Sequence, residues 1–181
     1  MESRLYKIYK EKVVPALKEE FGYKNVMQVP KVEKITINVG YGRFIKDGAY
    51  IENVTDTLRR ITGQNPTQNK AKKSISNFKI REGNEVGTSV TLRGKRMYDF
   101  LDKMVNVALP RVKDFRGISP KSFDRQGNYS IGFKEQLAFL EIKSDALDRT
   151  HGLQVVISTS ANNKEEGLAL LKHLGFPFKS K

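Results

Sequence analysis

The sequence has no cysteine, and this absence excludes disulfides and thiolate metal sites. It also has no apolar run that approaches the ~20 residues needed to span a membrane as a helix. The N-terminus lacks the apolar core of a signal peptide and carries too much acid for a transit peptide. These three absences predict a cytosolic protein that has no membrane partner.

Acidic residues are also scarce, and one long window has none. The chain contains 33 Lys and Arg against 20 Asp and Glu, which gives a formal charge of +13. No acid occurs in residues 57–81, whereas the basic residues there are Arg59, Arg60, Lys70, Lys72, Lys73, Lys79 and Arg81. Such a balance predicts a polyanionic partner, with nucleic acid ahead of an anionic membrane.

The sequence lacks the motifs of common catalytic and cofactor sites. The only histidines, His151 and His173, have no ligand-spaced partners, which argues against zinc. No G-x-S-x-G elbow or other nucleophile–base–orienter set occurs. Gly40-Tyr-Gly42 resembles the start of a dinucleotide fingerprint, but Ile45 occupies the position of its third glycine. We therefore expect no enzyme, no metal and no cofactor, with an RNA-modifying enzyme as the alternative.

The first 22 residues predict a helical segment. Apolar residues recur at helical spacing from Leu5 to Phe21, and Ser3 precedes them as a candidate N-cap. Pro15 should kink or split this helix, and Gly22 should end it.

Two later segments alternate between apolar and polar residues, as half-buried strands do: Val32 to Gly40 and Val86 to Arg93. Other patterns predict a helix from Asp47 to Gly63, a short strand over 67–71, a helix that stops before Pro110, strands over 129–133, 137–142 and 153–157, and a last helix capped by Asn162 or Asn163. The interleaved elements predict one α+β domain over residues 1–181, with an open sheet and helices on one face.

The open face of this sheet is a candidate nucleic-acid site. If the apolar faces of the two best strands pack on helices, then Asn38, Thr91 and Arg93 share the opposite face. Amide, hydroxyl and guanidinium groups hydrogen-bond phosphates, riboses and base edges. The plain alternative is that any half-exposed sheet has a polar outer face, and the pattern alone leaves both possibilities open.

A second candidate lies in the loop predicted for residues 70–85, whose segment from Lys70 to Arg81 we call the basic arm. Its cations would each steepen the salt dependence of nucleic-acid binding by ~0.7 to 0.9 log units per phosphate neutralised. Phe78 within the arm could stack on a base. A merely solvated loop is the alternative, but loops that serve only solubility usually mix both signs of charge, so we favour binding. The candidate arm residues are Lys70, Lys72, Lys73, Phe78, Lys79 and Arg81.

Several segments of the chain resemble those of a known protein family. The segment Leu58-Arg-Arg-Ile-Thr-Gly-Gln-Asn-Pro66, followed by Ala71-Lys-Lys-Ser74, resembles the signature of the ribosomal L-five family. Further similar segments keep the family order over nearly the whole chain: Lys34 to Gly40, Leu92 to Leu101, Asp114 to Gly117, Gly127 to Gln136 and Leu170 to Phe178. Thr67, Asn69 (where Ser or Thr is usual), Leu140 and Gln154 depart from the pattern, as in a divergent bacterial or organellar member.

The resemblance implies an open α+β sandwich with an RNA-recognition-motif or ferredoxin-like layout, lengthened by an N-terminal helical extension. It implies a non-catalytic, ribosome-bound protein of the large subunit that binds 5S rRNA in the central protuberance. The family's RNA-facing positions fall here on Asn38, Gln64, Thr91 and Arg93. Further implied partners are 23S-type rRNA, P-site tRNA through the basic loop, a small-subunit head protein at an intersubunit bridge, and other central-protuberance proteins. Another basic RNA-binding protein remains the alternative.

Overall fold

The computed structural model of this chain describes residues 2–142 and 150–179. The α-helices are α1 (Arg4–Ile8), α2 (Val14–Phe21), α3 (Gly48–Thr62), α4 (Gly94–Lys103) and α5 (Lys164–His173). The strands are β1 (Val32–Gly40), β2 (Thr67–Lys70), β3 (Glu85–Leu92), β4 (Tyr129–Phe133) and β5 (Leu153–Thr159). None of the helices in this described part is long and apolar enough to cross a membrane.

The N-terminal helical segment runs through a widened turn. A π-helical turn, Tyr9–Val13, joins α1 to α2, and Pro15 lies in the first turn of α2. Proline lacks an N–H and its ring crowds the carbonyl four residues earlier, so the backbone adjusts just before it. Gly22 ends α2 in the left-handed conformation, as predicted. Ser3 occupies the N-cap but its hydroxyl makes no capping hydrogen bond, so the predicted side-chain cap is wrong.

The five strands form one open sheet in the order β2-β3-β1-β5-β4. The Tyr41 N–H donates to the Val86 carbonyl (3.1 Å), which joins the end of β1 to the start of β3. The Ser160 N–H donates to the Lys31 carbonyl (2.9 Å), which joins the end of β5 to the start of β1. Strand neighbours therefore run antiparallel, and the predicted open α+β architecture is confirmed.

The strand β1 and the helix α3 follow directly from local sequence. Ile35, Ile37 and Val39 are buried while the residues between them stay partly exposed, so helices cover one face of the sheet. Asp47 caps α3 by accepting a hydrogen bond from the Tyr50 N–H (3.0 Å). Both elements match their predicted boundaries.

Two predicted elements end at residues other than those expected. Strand β3 ends at Leu92, so Arg93 is the N-cap residue of α4. After α4 a π-helical turn, Met104–Ala108, leads into a 3₁₀ turn, Leu109–Arg111, that includes Pro110. The helical segment therefore does not stop before the proline, because proline's missing N–H is not needed at the start of a turn.

The predicted strand over 137–142 is wrong. A 3₁₀ turn, Gln136–Ala138, occupies its start. The Phe139 N–H donates to the Gln136 carbonyl (3.1 Å) and the Ile142 N–H to the Phe139 carbonyl (3.2 Å). These two donors are used in consecutive local turns instead of a strand ladder, although the residues are apolar enough for a strand.

The chain divides into two compact units. The first comprises Met1–Ile35, Leu92–Ile131 and Val156–Lys181, and the second comprises Thr36–Thr91 and Gly132–Val155. The assignment of residues 1–181 to a single domain stays a prediction.

Each unit has its own buried aromatic residues. In the first unit α1 packs on α4, where the Tyr6 and Tyr98 ring centroids lie 5.0 Å apart. Burial raises the pKa of the Tyr98 hydroxyl above its usual value. In the second unit the Tyr41 side chain is buried, and its hydroxyl donates to the Gly87 carbonyl (3.2 Å).

Candidate nucleic-acid interface

Three neighbouring strands of the second unit each contribute one polar side chain to a hydrogen-bonded group. Asn69 on β2 donates from Nδ2 to Asn38 Oδ1 on β1 (3.5 Å) and to Ser89 Oγ on β3 (3.1 Å). The Ser89 hydroxyl donates back to Asn69 Oδ1 (3.2 Å). All three side chains are half-buried. They are therefore held in fixed orientations but remain open to a ligand on one side.

Gln64 and Thr91 extend this group toward the end of β3. The Gln64 Nε2 donates to the Thr91 carbonyl (3.2 Å), and both residues are half-buried in the second unit. The Gln64 N–H donates to Thr62 Oγ1 (3.2 Å), which fixes the turn after α3. We call Asn38, Gln64, Asn69, Ser89 and Thr91 the polar cluster.

Arg93 is the one predicted site residue that belongs to the first unit. It is exposed and follows Thr91 by two residues with extended backbone angles (φ −139°, ψ 164°). Its guanidinium forms no ion pair with any other residue that the structure describes. The group is thus available to an external phosphate, which it can bind in a bidentate geometry.

The two arginines at the end of α3 are engaged within the protein. Arg60 pairs with Asp56 one turn earlier (2.7 Å). Arg59 donates from Nε and Nη2 to Asn65 Oδ1 (3.2 and 2.9 Å), so it braces the turn that carries Gln64. The acid-free window therefore contains structural cations as well as available ones.

Within the loop predicted for residues 70–85, the basic arm folds back as a hydrogen-bonded hairpin. Ile75 and Ile80 exchange two backbone hydrogen bonds (2.9 and 3.1 Å), and Lys79 adopts the left-handed conformation (φ 55°) that closes the tip. The Ala71 N–H donates to the Asn84 carbonyl (2.8 Å) at the base. The apolar side chains of the two paired isoleucines favour this closure. The charge pattern of the segment does not predict it.

The arm's charges are exposed and unpaired. No ion pair joins any of its five cations to another residue in the described part of the chain: Lys70, Lys72, Lys73, Lys79 and Arg81. Phe78 at the tip is 70% exposed, which is unusual for so large an apolar side chain. This combination of free cations and an exposed ring suits contact with a nucleic-acid backbone and its bases.

Asn69 is the site residue that sequence reasoning missed. The sequence shows Asn69 only as a departure from the family pattern, but its side chain links β2 to both β1 and β3. The usable signal was alternation within β2, because Thr67 lies opposite Ser89 and Asn69 shares the side of Thr67. Within residues 2–142 and 150–179, no group of three His, Asp or Glu side chains is placed to hold a metal ion.

The fold and the surface together define an α+β protein with a preorganised polar sheet face and a basic hairpin. Residues 25–81 match the family model described as Ribosomal protein L5, and residues 85–178 match the one described as ribosomal L5P family C-terminus. The chain belongs to the ribosomal protein L5 family, so the resemblance noted in the sequence is confirmed.

Curated relatives agree over nearly their full lengths. The Large ribosomal subunit protein uL5 of Ralstonia pickettii is 54% identical, covering 99% of this chain and 100% of the relative. The proteins of the same name from Lacticaseibacillus casei and Colwellia psychrerythraea are 54% and 51% identical, and at least 98% of each chain is covered.

Proposed function

We propose that this protein is a non-catalytic structural constituent of the large ribosomal subunit that binds 5S rRNA and helps attach it to the central protuberance. Family membership supports the ribosomal role, as do relatives named as large-subunit proteins. The polar cluster is the observation that carries the RNA-binding proposal, because its side chains are oriented by one another and still partly exposed.

Three members of the polar cluster, Asn38, Gln64 and Thr91, each have a hydrogen-bonding group left for RNA. Asn38 uses Oδ1 within the cluster, so its Nδ2 can donate to a phosphate or ribose oxygen. Gln64 uses Nε2 on the Thr91 carbonyl, so its Oε1 can accept from a 2′-hydroxyl or a base amino group. The Thr91 hydroxyl can do either, and Arg93 supplies the charged phosphate contact. In this mechanism Asn38 of the second unit and Arg93 of the first unit each contact 5S rRNA, and each contact helps to set its register.

The basic arm has a separate role in the proposal. Its exposed cations contact nucleic-acid backbone, and the target that the family resemblance implies is P-site tRNA. The same resemblance supports 23S-type rRNA, other central-protuberance proteins and a small-subunit head protein at an intersubunit bridge as further partners of the ribosome-bound protein in the cytoplasm.

The substitution Arg93→Ala tests the 5S rRNA proposal. It should weaken binding by ~1–3 kcal/mol, which is about 5- to 160-fold in Kd, because a charge-assisted phosphate contact is lost. A mobility-shift titration with 5S rRNA measures the change. Arg125→Ala is the matched control, since it removes an exposed arginine from a different turn of the same unit. Affinity equal to the unmodified protein's would refute the role of Arg93 in 5S rRNA binding.

A further inference from the structure

A cleft of about 680 Å³ lies beside the end of β1, and the proposed 5S rRNA site does not use it. It is formed entirely by the second unit. Its lining residues are Gly40, Tyr41, Gly42, Arg43, Phe44, Phe78 and Ile80. The cleft is therefore lined by the 3₁₀ turn after β1 and by the tip of the basic arm.

The side of the cleft at β1 is firmly built. Tyr41 is 1% exposed, and its hydroxyl accepts from the Thr88 hydroxyl (3.1 Å) while donating to the Gly87 carbonyl. The Phe44 N–H donates to the Tyr41 carbonyl (2.8 Å), which closes the turn Gly42–Phe44. This wall is anchored to β3 and does not need a ligand to form.

Two aromatic rings in the cleft are left partly uncovered. Phe44 is 48% exposed, although its ring packs on Tyr50 with ring centroids 4.6 Å apart. Phe78 on the arm is still more exposed. Beside them, a Cβ on Gly40 or Gly42 would meet no atom within 4 Å, so the glycines leave open space. Exposed rings around open space provide stacking surfaces for a flat, apolar group.

The charge of the cleft specifies what that flat group should carry. Arg43 is the charged residue among its lining residues, and the arm that supplies Phe78 also carries Lys72, Lys73 and Lys79. Among the residues that the structure describes, none that lines the cleft is acidic. A planar group attached to an anionic backbone matches both properties, and an unpaired nucleotide is such a ligand. The volume also suits one, because pockets for small ligands span ~300–1,000 Å³.

We propose that this cleft binds one unpaired base of RNA, stacked on Phe44 and Phe78, while Arg43 holds the adjoining phosphate. The inference rests on the proposed function in taking RNA as the ligand. It adds a base-stacking site separate from the polar cluster and gives the arm more than an electrostatic role. An apolar segment of a protein would be the competing occupant.

The test uses the full chain and a 12-nucleotide single-stranded RNA with a central 2-aminopurine. Stacking on an aromatic ring should quench the fluorescence of this base. Phe78→Ala should lower affinity about 5- to 100-fold and restore the fluorescence, whereas Phe78→Tyr should keep most of both. The same strand in a fully paired duplex should bind equally well to the unmodified protein and to Phe78→Ala.

Two further variants distinguish base stacking in the cleft from two other contributions to RNA binding, the charge of the arm and exposed apolar side chains elsewhere. Lys72→Gln should lower the salt slope by ~0.7 log units, and Phe78→Ala should leave that slope unchanged. Met27→Ala removes a side chain that is 88% exposed outside the cleft, so it should change neither affinity nor fluorescence.

The outcomes also distinguish this inference from the proposed function. Unchanged probe affinity and fluorescence in Phe78→Ala would overturn the cleft inference, as would equal losses for the single strand and the duplex. A third contrary result would be an apolar peptide that binds the cleft but does not release the RNA probe, because the RNA would then lie elsewhere. A parallel titration shows whether the unmodified protein binds 5S rRNA, and failure there refutes the proposed function while the probe still decides the cleft.

Discussion

The polar cluster and the basic arm belong to the same unit but hold their polar groups in opposite ways. In the cluster, half-buried amides and a hydroxyl bond to one another across three strands. In the arm, exposed cations have no ion-pair partner among the residues that the structure describes. A preorganised neutral surface suits positional recognition, and an array of free charge suits strong but salt-dependent contact. The difference is the basis for proposing two separate binding surfaces in one unit.

Neutralising the arm should have the largest effect. Changing Lys70, Lys72, Lys73, Lys79 and Arg81 to Gln should reduce the salt slope of tRNA binding by up to ~3.5–4.5 log units, if each cation contacts one phosphate. Binding titrations over a range of salt concentrations measure the slope. Affinity for 5S rRNA should fall much less. An equal loss for both RNAs would merge the two surfaces into a single site.

Removing the centre of the polar cluster should have the next largest effect. Asn69→Ala frees Asn38 and Ser89 from their shared partner, so 5S rRNA binding should weaken by ~1 kcal/mol through lost orientation. The salt slope should not change, because no charge is removed. Mobility-shift titrations at two salt concentrations test both statements. Asn69→Thr is the conservative control, and it should retain part of the affinity if a hydroxyl can replace the amide.

Arg59→Ala should have a smaller effect that sharpens the comparison. This arginine lies in the acid-free window but braces Asn65 in the turn that carries Gln64. We expect it to lower the free energy of unfolding by ~0.5–1 kcal/mol, since an exposed hydrogen-bonded contact is lost. Urea denaturation measures this. A change in salt slope as large as that of an arm lysine would show that Arg59 is an RNA contact instead.

The smallest expected effect is on stability in acid, and it concerns the Asp124 carboxylate in a turn of the first unit. Burial acts to raise the pKa of Asp124, but hydrogen bonds from Asn128 and from the Gln126 N–H hold it below its usual value. A lowered pKa in the folded state makes the carboxylate stabilising above its unfolded pKa of ~3.9, and this stabilisation is lost as pH falls through the folded value. Thermal melts should therefore show a smaller acid loss for Asp124→Asn than for the unmodified protein. Parallel melting curves down to pH 2 would contradict this.

Sequence alone predicted the parts of the fold that depend on local patterns. Alternation located β1, and Asp47 and Gly63 bounded α3, because strand burial and helix capping depend on residues close in the chain. Alternation also placed Asn38 and Thr91 on one side of the sheet, and the structure finds both half-exposed there.

Contacts between residues far apart in the chain were not predictable in the same way. The link from Asn69 to Asn38 depends on the order of the strands, and the turn at Gln136 depends on a partner at His151, whose N–H donates to Gln136 Oε1 (2.7 Å). The backbone bridge within the arm was not predictable either, because the charge pattern carries no information on which loop residues pair. One bridge between Ile75 and Ile80 is enough to close the hairpin.

The most direct test compares two variants in salt titrations of binding to 5S rRNA and to tRNA: Asn38→Ala and the arm with all five cations changed to Gln. The account predicts that Asn38→Ala weakens binding by the same factor at every salt concentration. The arm variant should instead lower the salt slope of tRNA binding and leave 5S rRNA binding nearly unchanged, whereas the loss caused by Asn38→Ala should fall on 5S rRNA. Identical curves for the two variants, or a slope change for Asn38→Ala, would contradict the division between the polar cluster and the basic arm.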